Sequence, residues 1–401
     1  MEKLFAVCAP GLEPFTALEL RQLGLLPPVQ GDAAPETRGQ DRAAQGENRG
    51  VSFAGDLKEI YLANLHLRTA SRVLVRLGEF YAAAFSELRK KAGRLAWMRY
   101  LKPGQPVAIN VACHQSRLYH SDAVAERIAG AIGDCLGEQP QVIRPDPGVS
   151  YSNGETNLQP QLVVVRLVQD LCTISIDSSG ELLHRRGYRL ATAKAPLRET
   201  LAAGVLLASG WDKISPLIDP FCGSGTIAIE AAMMALSIAP GRDRRFRFMS
   251  WESYAPALWE VLTGENAHQI QGRRTEIGSK LNVSASDRDA GAVQAALANA
   301  TRSGVENDIE FSHRAVSAIE PIGRGWIVTN PPYGLRISAN KDLRNLYAQF
   351  GNVLRANCPG WHVGVLCSDS RLLNNLGLHL DTSLSLINGG VKVKLARGIV
   401  E

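Results

Sequence analysis

Two hydrophobic rhythms divide the chain. Through the first 180 residues, short apolar runs alternate with amphipathic stretches. Leu4–Pro10 reads as a strand, Pro14–Leu23 as a short helix, Val51 and Phe53 as part of a strand, Leu57–Ala70 as a helix and Val73–Leu77 as a strand. A helix from Ser86, a strand Val107–Ala112, a helix Ser121–Leu136 and strands Gln161–Val168 and Leu171–Asp177 follow, closed by the turn Asp177-Ser178-Ser179-Gly180. This is the pattern of an α+β region.

Beyond Leu182–Arg189, where His184, Arg185, Arg186 and Arg189 crowd together, composition shifts to an Ala/Leu-rich helix, Leu197–Ser209. The main boundary therefore falls near residue 190. From 214 onward strands (Pro216–Ile218, Asn282–Ser286, Ile309–Ser312, Trp326–Thr329, His362–Cys367) alternate with helices (Thr226–Leu236, Ala290–Ser303, Leu343–Ala356). That order predicts a doubly wound α/β domain, a parallel sheet with its ligand at the carboxyl ends of the strands.

Length and composition narrow the class. The 401 residues carry 45% hydrophobic and 21% charged side chains, which excludes fibrous and wholly disordered chains and favours two or three domains. The best apolar candidate, Leu201–Ser209, is far shorter than the roughly 20 residues a membrane span needs. Glu13 and Glu19 interrupt the N-terminus where a secretory signal needs an apolar core, so a cytoplasmic location is expected. Seven cysteines without a CxxC, and histidines without HExxH or i,i+4 spacing, predict neither disulfides nor a metal.

Charge matters locally. The chain's formal charge is only +5, yet residues 65–120 hold ten Lys/Arg against Glu79 and Glu87, with Tyr81, Phe85, Trp97, Tyr100 and Tyr119 interleaved. Such a segment suits phosphate contact and base stacking, although a basic solvated face has the same composition. Residues 30–50 have no apolar side chain larger than Ala and read as a mobile loop.

Two motifs carry chemistry. The run Asp219-Pro220-Phe221-Cys222-Gly223-Ser224-Gly225-Thr226 ends a strand and opens a helix. Gly223 and Gly225 permit a tight turn and close backbone approach, while the helix N-terminus and Asp219 offer donors and a carboxylate. The spacing lacks the third glycine of a dinucleotide fingerprint and the Gly-Lys-Ser/Thr ending of a P-loop. It predicts S-adenosylmethionine, with Asp219 near the amino-acid end of the cofactor; a packing turn of an ordinary α/β protein is the alternative. Cys222, without a histidine partner, reads as a packed residue rather than a nucleophile. Asp287, at the end of the next strand and followed by Arg288, is placed to accept the ribose hydroxyls, and Asp289 to cap the following helix. An insertion, Pro240–Lys280, separates the two acids; its Arg242, Arg244, Arg245, Arg247, Arg273 and Arg274, with Trp251 and Trp259, form a candidate second RNA-facing surface.

The second motif, Asn330-Pro331-Pro332-Tyr333-Gly334, follows a strand directly. Consecutive prolines remove two donors and stiffen the corner. The Asn330 side chain and Pro331 carbonyl can accept both N–H groups of an exocyclic amine, and Tyr333 supplies a face for an unstacked base. A rigid proline turn is the bland alternative.

Taken in order, Leu4-Phe5-Ala6 with Pro10-Gly11-Leu12-Glu13, Gly187-Tyr188-Arg189, the stretch Ala195–Ala203, the Asp219–Thr226 turn and Asn330–Gly334 resemble the THUMP-domain class I RNA methyltransferases, in particular the N-terminal half, forming N2-methylguanosine, of bifunctional large-subunit rRNA enzymes. The resemblance implies a ferredoxin-like region over 1–59, a THUMP RNA-binding domain over 60–170, a linker over 171–190 and a Rossmann-like methyltransferase domain over 191–401. It also implies that Pro196, Glu199 and Thr200 lie against S-adenosylmethionine and that the partner is RNA; a monomer is the default expectation. Two departures stand out: Ala315 replaces an acid that often binds the adenine amine, and the chain ends before a second methyltransferase module, so 7-methylguanosine activity is expected elsewhere. A tRNA guanosine, a DNA adenine, a protein glutamine and a non-catalytic assembly role are the rival expectations.

Overall fold

The computed structural model describes residues 1–28, 49–144, 160–189, 197–278, 281–333 and 343–401; the expected loop 30–50 lies outside them except for its last two residues. Six strands form the N-terminal sheet: β1 (Glu2–Cys8), β2 (Gly50–Gly55), β3 (Ala70–Tyr81), β4 (Val107–His114), β5 (Gln161–Val168) and β6 (Leu171–Asp177), in the order β2-β1-β3-β6-β5-β4. Only β4 and β5 run parallel. Strand β3 is common to both halves of this sheet, pairing with β1 through Arg76 and with β6 from Leu74 to Tyr81. Helices α1 (Glu13–Gln22), α2 (Leu57–His66), α3 (Phe85–Ala92) and α4 (Ser121–Leu136) bury Leu20, Ile60, Leu88 and Ile128 with Val73, Val75, Val165 and Ile174 in one core.

Helix α2 stops four residues earlier than its periodicity predicts, and β3 is longer at both ends than the expected 73–77. The reason is Glu19. Its buried carboxylate accepts from the Arg68 and Thr69 backbone N–H groups (2.9 and 3.0 Å), diverting donors that a continuing helix would have used.

The C-terminal sheet contains β7 (Leu217–Asp219), β8 (Val283–Asp287), β9 (Ile309–His313), β10 (Trp326–Thr329), β11 (His362–Cys367), β12 (Asp381–Asn388) and β13 (Val391–Ile399). Their order is β12-β13-β11-β10-β7-β8-β9, with β7 to β11 parallel and the last two antiparallel. Strand order reverses between β7 and β10, so a crevice opens at their carboxyl ends. Around the sheet lie α5 (Glu199–Ala208), α6 (Thr226–Ala235), α7 (Pro256–Ile277), α8 (Ala290–Ser303), α9 (Leu343–Asn357) and α10 (Ser370–Asn374). The β12–β13 hairpin extends the fold past the last expected strand; it buries Leu384, Leu386, Val393 and Leu395 at alternate positions on either side of Gly389-Gly390. Among the described residues no helix is long and apolar enough to cross a membrane.

One expectation about basic residues is corrected and a second is narrowed. In the 240–280 insertion the arginines face inward. Arg244 donates to the Glu181, Leu182 and Arg185 carbonyls, Arg247 to Gln161, Arg273 to the Ala235 carbonyl and Arg274 to Asp308. Trp251 is buried and Trp259 packs against the N-terminal core. Arg244 and Arg247 serve acceptors where the two regions meet, Arg273 and Arg274 acceptors within the C-terminal domain, and Arg245 stays exposed. In the basic segment, Arg72, Arg89, Lys91, Arg99 and Arg117 pair with Asp177, Asp134, Glu87, Glu2 and Asp170, and Trp97 and Tyr100 belong to the core. Arg99 and Arg117 stay exposed within their pairs, and Lys90, Arg94 and Lys102 are exposed as well, together with Tyr81 and Tyr119.

The two regions are bound through α6. Its Glu230 has no solvent exposure; Arg186 Nε lies 3.0 Å from one carboxylate oxygen, which also accepts from the Tyr188 hydroxyl at 3.1 Å, and Arg68 Nη1 lies 3.9 Å from the other. Arg186 in turn donates to the Arg68 carbonyl at 2.8 Å. Burial lowers Arg68 to about 10 against the opposing pull of Glu230. Removing the carboxylate leaves two enclosed guanidiniums facing each other. Glu230→Gln is therefore expected to lose about 3 kcal/mol of unfolding free energy in urea titrations.

Candidate functional site

Register brings the site together. Strand β10 lies beside β7 with Ile327 opposite Ile218, so Thr329 sits just past Asp219 at the carboxyl edge. The Thr329 hydroxyl donates to Asp219 Oδ1 at 2.6 Å, and the Phe221 N–H approaches the same oxygen at 3.3 Å. Asp219 is 1% exposed, and burial pushes its carboxyl up to about 7 despite these two donors, with the Asp287 charge adding to the rise. Strand β8 lies on the other side of β7. Gly223 donates its N–H to Asp287 Oδ2 and Asp289 to Asp287 Oδ1, both at 3.0 Å, so the carboxylate is fixed beside the glycine turn with lone pairs remaining on each oxygen. Asp289 caps α8 through the Gly291 N–H at 2.8 Å.

The turn explains its two glycines. Gly225 has φ +83°, and a Cβ there would lie 2.9 Å from the Ala296 Cβ, so it admits α8 against α6. Gly223 has φ +51°, and a Cβ there would meet open space, so this backbone faces the crevice. Ser224 is buried, its carbonyl accepting from Asn299 at 3.0 Å. Cys222 is buried beside two acids, and burial drives its thiol well above the ordinary range, which leaves it no nucleophilic role. Phe221 sets its ring edge-on to Phe350 of α9.

Behind the turn, Arg189 donates to Thr226 Oγ1 at 2.8 Å and pairs with Glu199 at 3.1 Å. Glu199 and Thr200 are buried at the start of α5; burial raises the Glu199 carboxyl and Arg189 opposes that. Arg288 is exposed and engages His313 through its carbonyl. Pro196 and Gly334 lie outside the described residues. Ala315 is exposed after β9, next to Arg314, whose N–H donates to the Asp287 carbonyl at 3.1 Å.

The Asn330–Tyr333 corner follows Thr329 without a break. Pro331 is buried, and the Pro332 carbonyl accepts from the buried Tyr347 hydroxyl at 3.4 Å. Asn330 Oδ1 is shielded from solvent and has no hydrogen-bond partner among the described residues. An acceptor so placed costs about 1–3 kcal/mol until a donor reaches it. Thr329, Arg189, Tyr347 and Asn388 are missing from the expected site. Local signals existed for two of them: Thr329 is the strand residue that directly precedes the corner, and Arg189 lies in the Gly187-Tyr188-Arg189 motif.

Residues 186–396 match the family described as RMKL-like, methyltransferase domain. The chain belongs to that family. Residues 3–74 match the RlmL ferredoxin-like domain and 82–177 the THUMP domain. A ribosomal RNA large subunit methyltransferase K/L of Syntrophotalea carbinolica is 32% identical over 98% of the chain and 53% of its own length. The chain spans about half the length of the curated relatives it matches. Among solved structures, SMU.472 complexed with SAH is 30% identical with a TM-score of 0.80, covering all of this chain and 98% of that one. A predicted N6-adenine-specific DNA methylase from Listeria monocytogenes is also 30% identical, with a TM-score of 0.81 over 98% and 95% of the two chains. S-adenosylmethionine is the cofactor of the C-terminal domain, and the open backbone at Gly223, the free lone pairs of Asp287 and the enclosed Asp219 fit it. Among the described residues no group of three or more His, Cys, Asp or Glu is placed to hold a metal.

The raised Asp219 pKa has a definite sign. The folded protein binds a proton here that the unfolded chain releases above about 4, so this group adds stability at low pH and loses it as pH rises towards 7. Relative to the wild type, Asp219→Asn is expected to remove a slope of at most about 1.4 kcal/mol per pH unit between pH 5 and 7 in urea unfolding.

Proposed function

We propose that the chain methylates the N2 amine of a guanosine in large-subunit rRNA, with the N-terminal ferredoxin-like and THUMP regions, through β6, holding RNA, the segment after β6 leading into the methyltransferase domain (191–401), and the reaction taking place in the cytoplasm. One observation carries the reading: the Asn330 oxygen is enclosed, has no partner among the described residues and lies one residue from the Thr329–Asp219 bond. S-adenosylmethionine supplies an electrophilic methyl group. Asn330 Oδ1 and the Pro331 carbonyl accept the two amine N–H groups, which turns the nitrogen lone pair towards that methyl and stabilises positive charge as it develops. The proton leaves from the cationic product, so no strong base is needed. Tyr333 presents its ring to the unstacked base. On the cofactor side, Asp219 holds the ammonium group, Asp287 the ribose hydroxyls, and Pro196, Glu199, Thr200 and the turn from Phe221 to Thr226 with Arg288 complete the cradle.

The rRNA substrate is supported by the named activity of relatives that match 98% of the chain, together with the THUMP match. An adenine amine would suit the same acceptors, and the Listeria methylase bears such a name. Nucleoside digests separate the two: rRNA incubated with the protein and labelled S-adenosylmethionine is expected to yield N2-methylguanosine, and N6-methyladenosine instead would refute the substrate.

Asn330→Ala is expected to lower turnover by about a hundredfold or more while calorimetry finds cofactor affinity within about twofold of wild type. Unchanged turnover would remove the role given to the corner. Because Asp219 must be ionised to hold an ammonium group, cofactor affinity is expected to fall by up to about tenfold per pH unit below 7, and to lose that dependence in Asp219→Asn.

A further inference from the structure

The corner's prolines fix its backbone, yet a tyrosine side chain on a fixed backbone still turns about χ1. Tyr333 lies where two cores of the C-terminal domain meet, and its ring is half-buried between them. The far end of the ring is held by a residue from a distant part of the chain. Asn388 Nδ2 donates to the Tyr333 hydroxyl at 3.2 Å. Asn388 is the last residue of β12, and Gly389 and Gly390 follow it with φ of +56° and +85°. The stem beneath is firm: Leu386 and Val393 are cross-strand partners and both fully buried, and Asn388 is itself paired with Val391. The amide is thus carried on a rigid hairpin whose register its core residues set.

Resting on the reading of the corner given above, we propose that Asn388 is a positioning residue for methyl transfer, pinning the Tyr333 hydroxyl so that the ring keeps the tilt at which a base stacks beside the Asn330 acceptor. The corner is then held at two points. Tyr347 of α9 fixes the Pro332 carbonyl from within the core, and Asn388 fixes the tip of Tyr333 from the hairpin. Burial raises the Tyr333 hydroxyl pKa, so the group remains protonated and neutral at working pH. Stacking and in-line attack both depend on sub-ångström placement, so release of the ring should act on turnover more than on cofactor binding.

The test is a double-mutant cycle on the full chain, with protein-free large-subunit rRNA transcribed in vitro as substrate. Asn388→Ala is expected to reduce kcat about tenfold, with cofactor affinity and melting temperature unchanged. Asn388→Asp, whose carboxylate accepts the hydroxyl proton, is expected to restore most of that rate. In a Tyr333→Phe background Asn388→Ala is expected to have no further effect, because the shared bond is already gone. Losses that add in the double variant, or full kcat in Asn388→Ala, would overturn the proposal. Neither result touches the Asn330 acceptor role, which Asn330→Ala tests separately.

Discussion

A carboxylate with no access to water cannot be left alone, and Glu230 organises the molecule around that requirement. It sits on α6, the helix that begins at the glycine turn, and its partners come from the N-terminal sheet region (Arg68) and from the segment leading into the C-terminal domain (Arg186, Tyr188). Enclosed charges of this kind are costly unless all are present together, which makes the contact specific rather than merely adhesive. A second pair, Arg189 with Glu199, reaches the same helix through Thr226. The cofactor turn and the RNA-binding region are therefore tied to one short helix.

At the opposite end of that turn, the chemistry rests on neighbouring strands. Parallel pairing of β7 with β10 places an acid and a threonine side by side, and their bond joins the glycine turn to the Asn330–Tyr333 corner.

What can be read from sequence follows the range of the interaction. Strand ends bearing Asp219, Asp287 and Asn330 are legible because each motif is contiguous and the α/β alternation places all three at one sheet edge. Helix starts are legible where a cap is local, as at Asp289. The partners of Glu230 are not, since Arg68 and Arg186 are remote along the chain and no periodicity links them. Composition misleads for the arginines of the insertion: a count of positive charges does not reveal which ones serve carbonyls inside the protein. The end of α2 was hidden for the same reason, its stop signal being a glutamate about fifty residues upstream. Asn388 belongs to a hairpin whose strands flank the sheet in reverse direction, outside the alternation that revealed the rest.

Strand β3 runs unbroken through both halves of the N-terminal sheet. A hinge cannot open along it without breaking two ladders of backbone bonds, so those halves travel as a single plate. Riveted to α6, that plate makes the span from RNA grip to methyl donor a ruler of set length. How far a nucleotide lies from the point where RNA is held then bears on whether it is methylated.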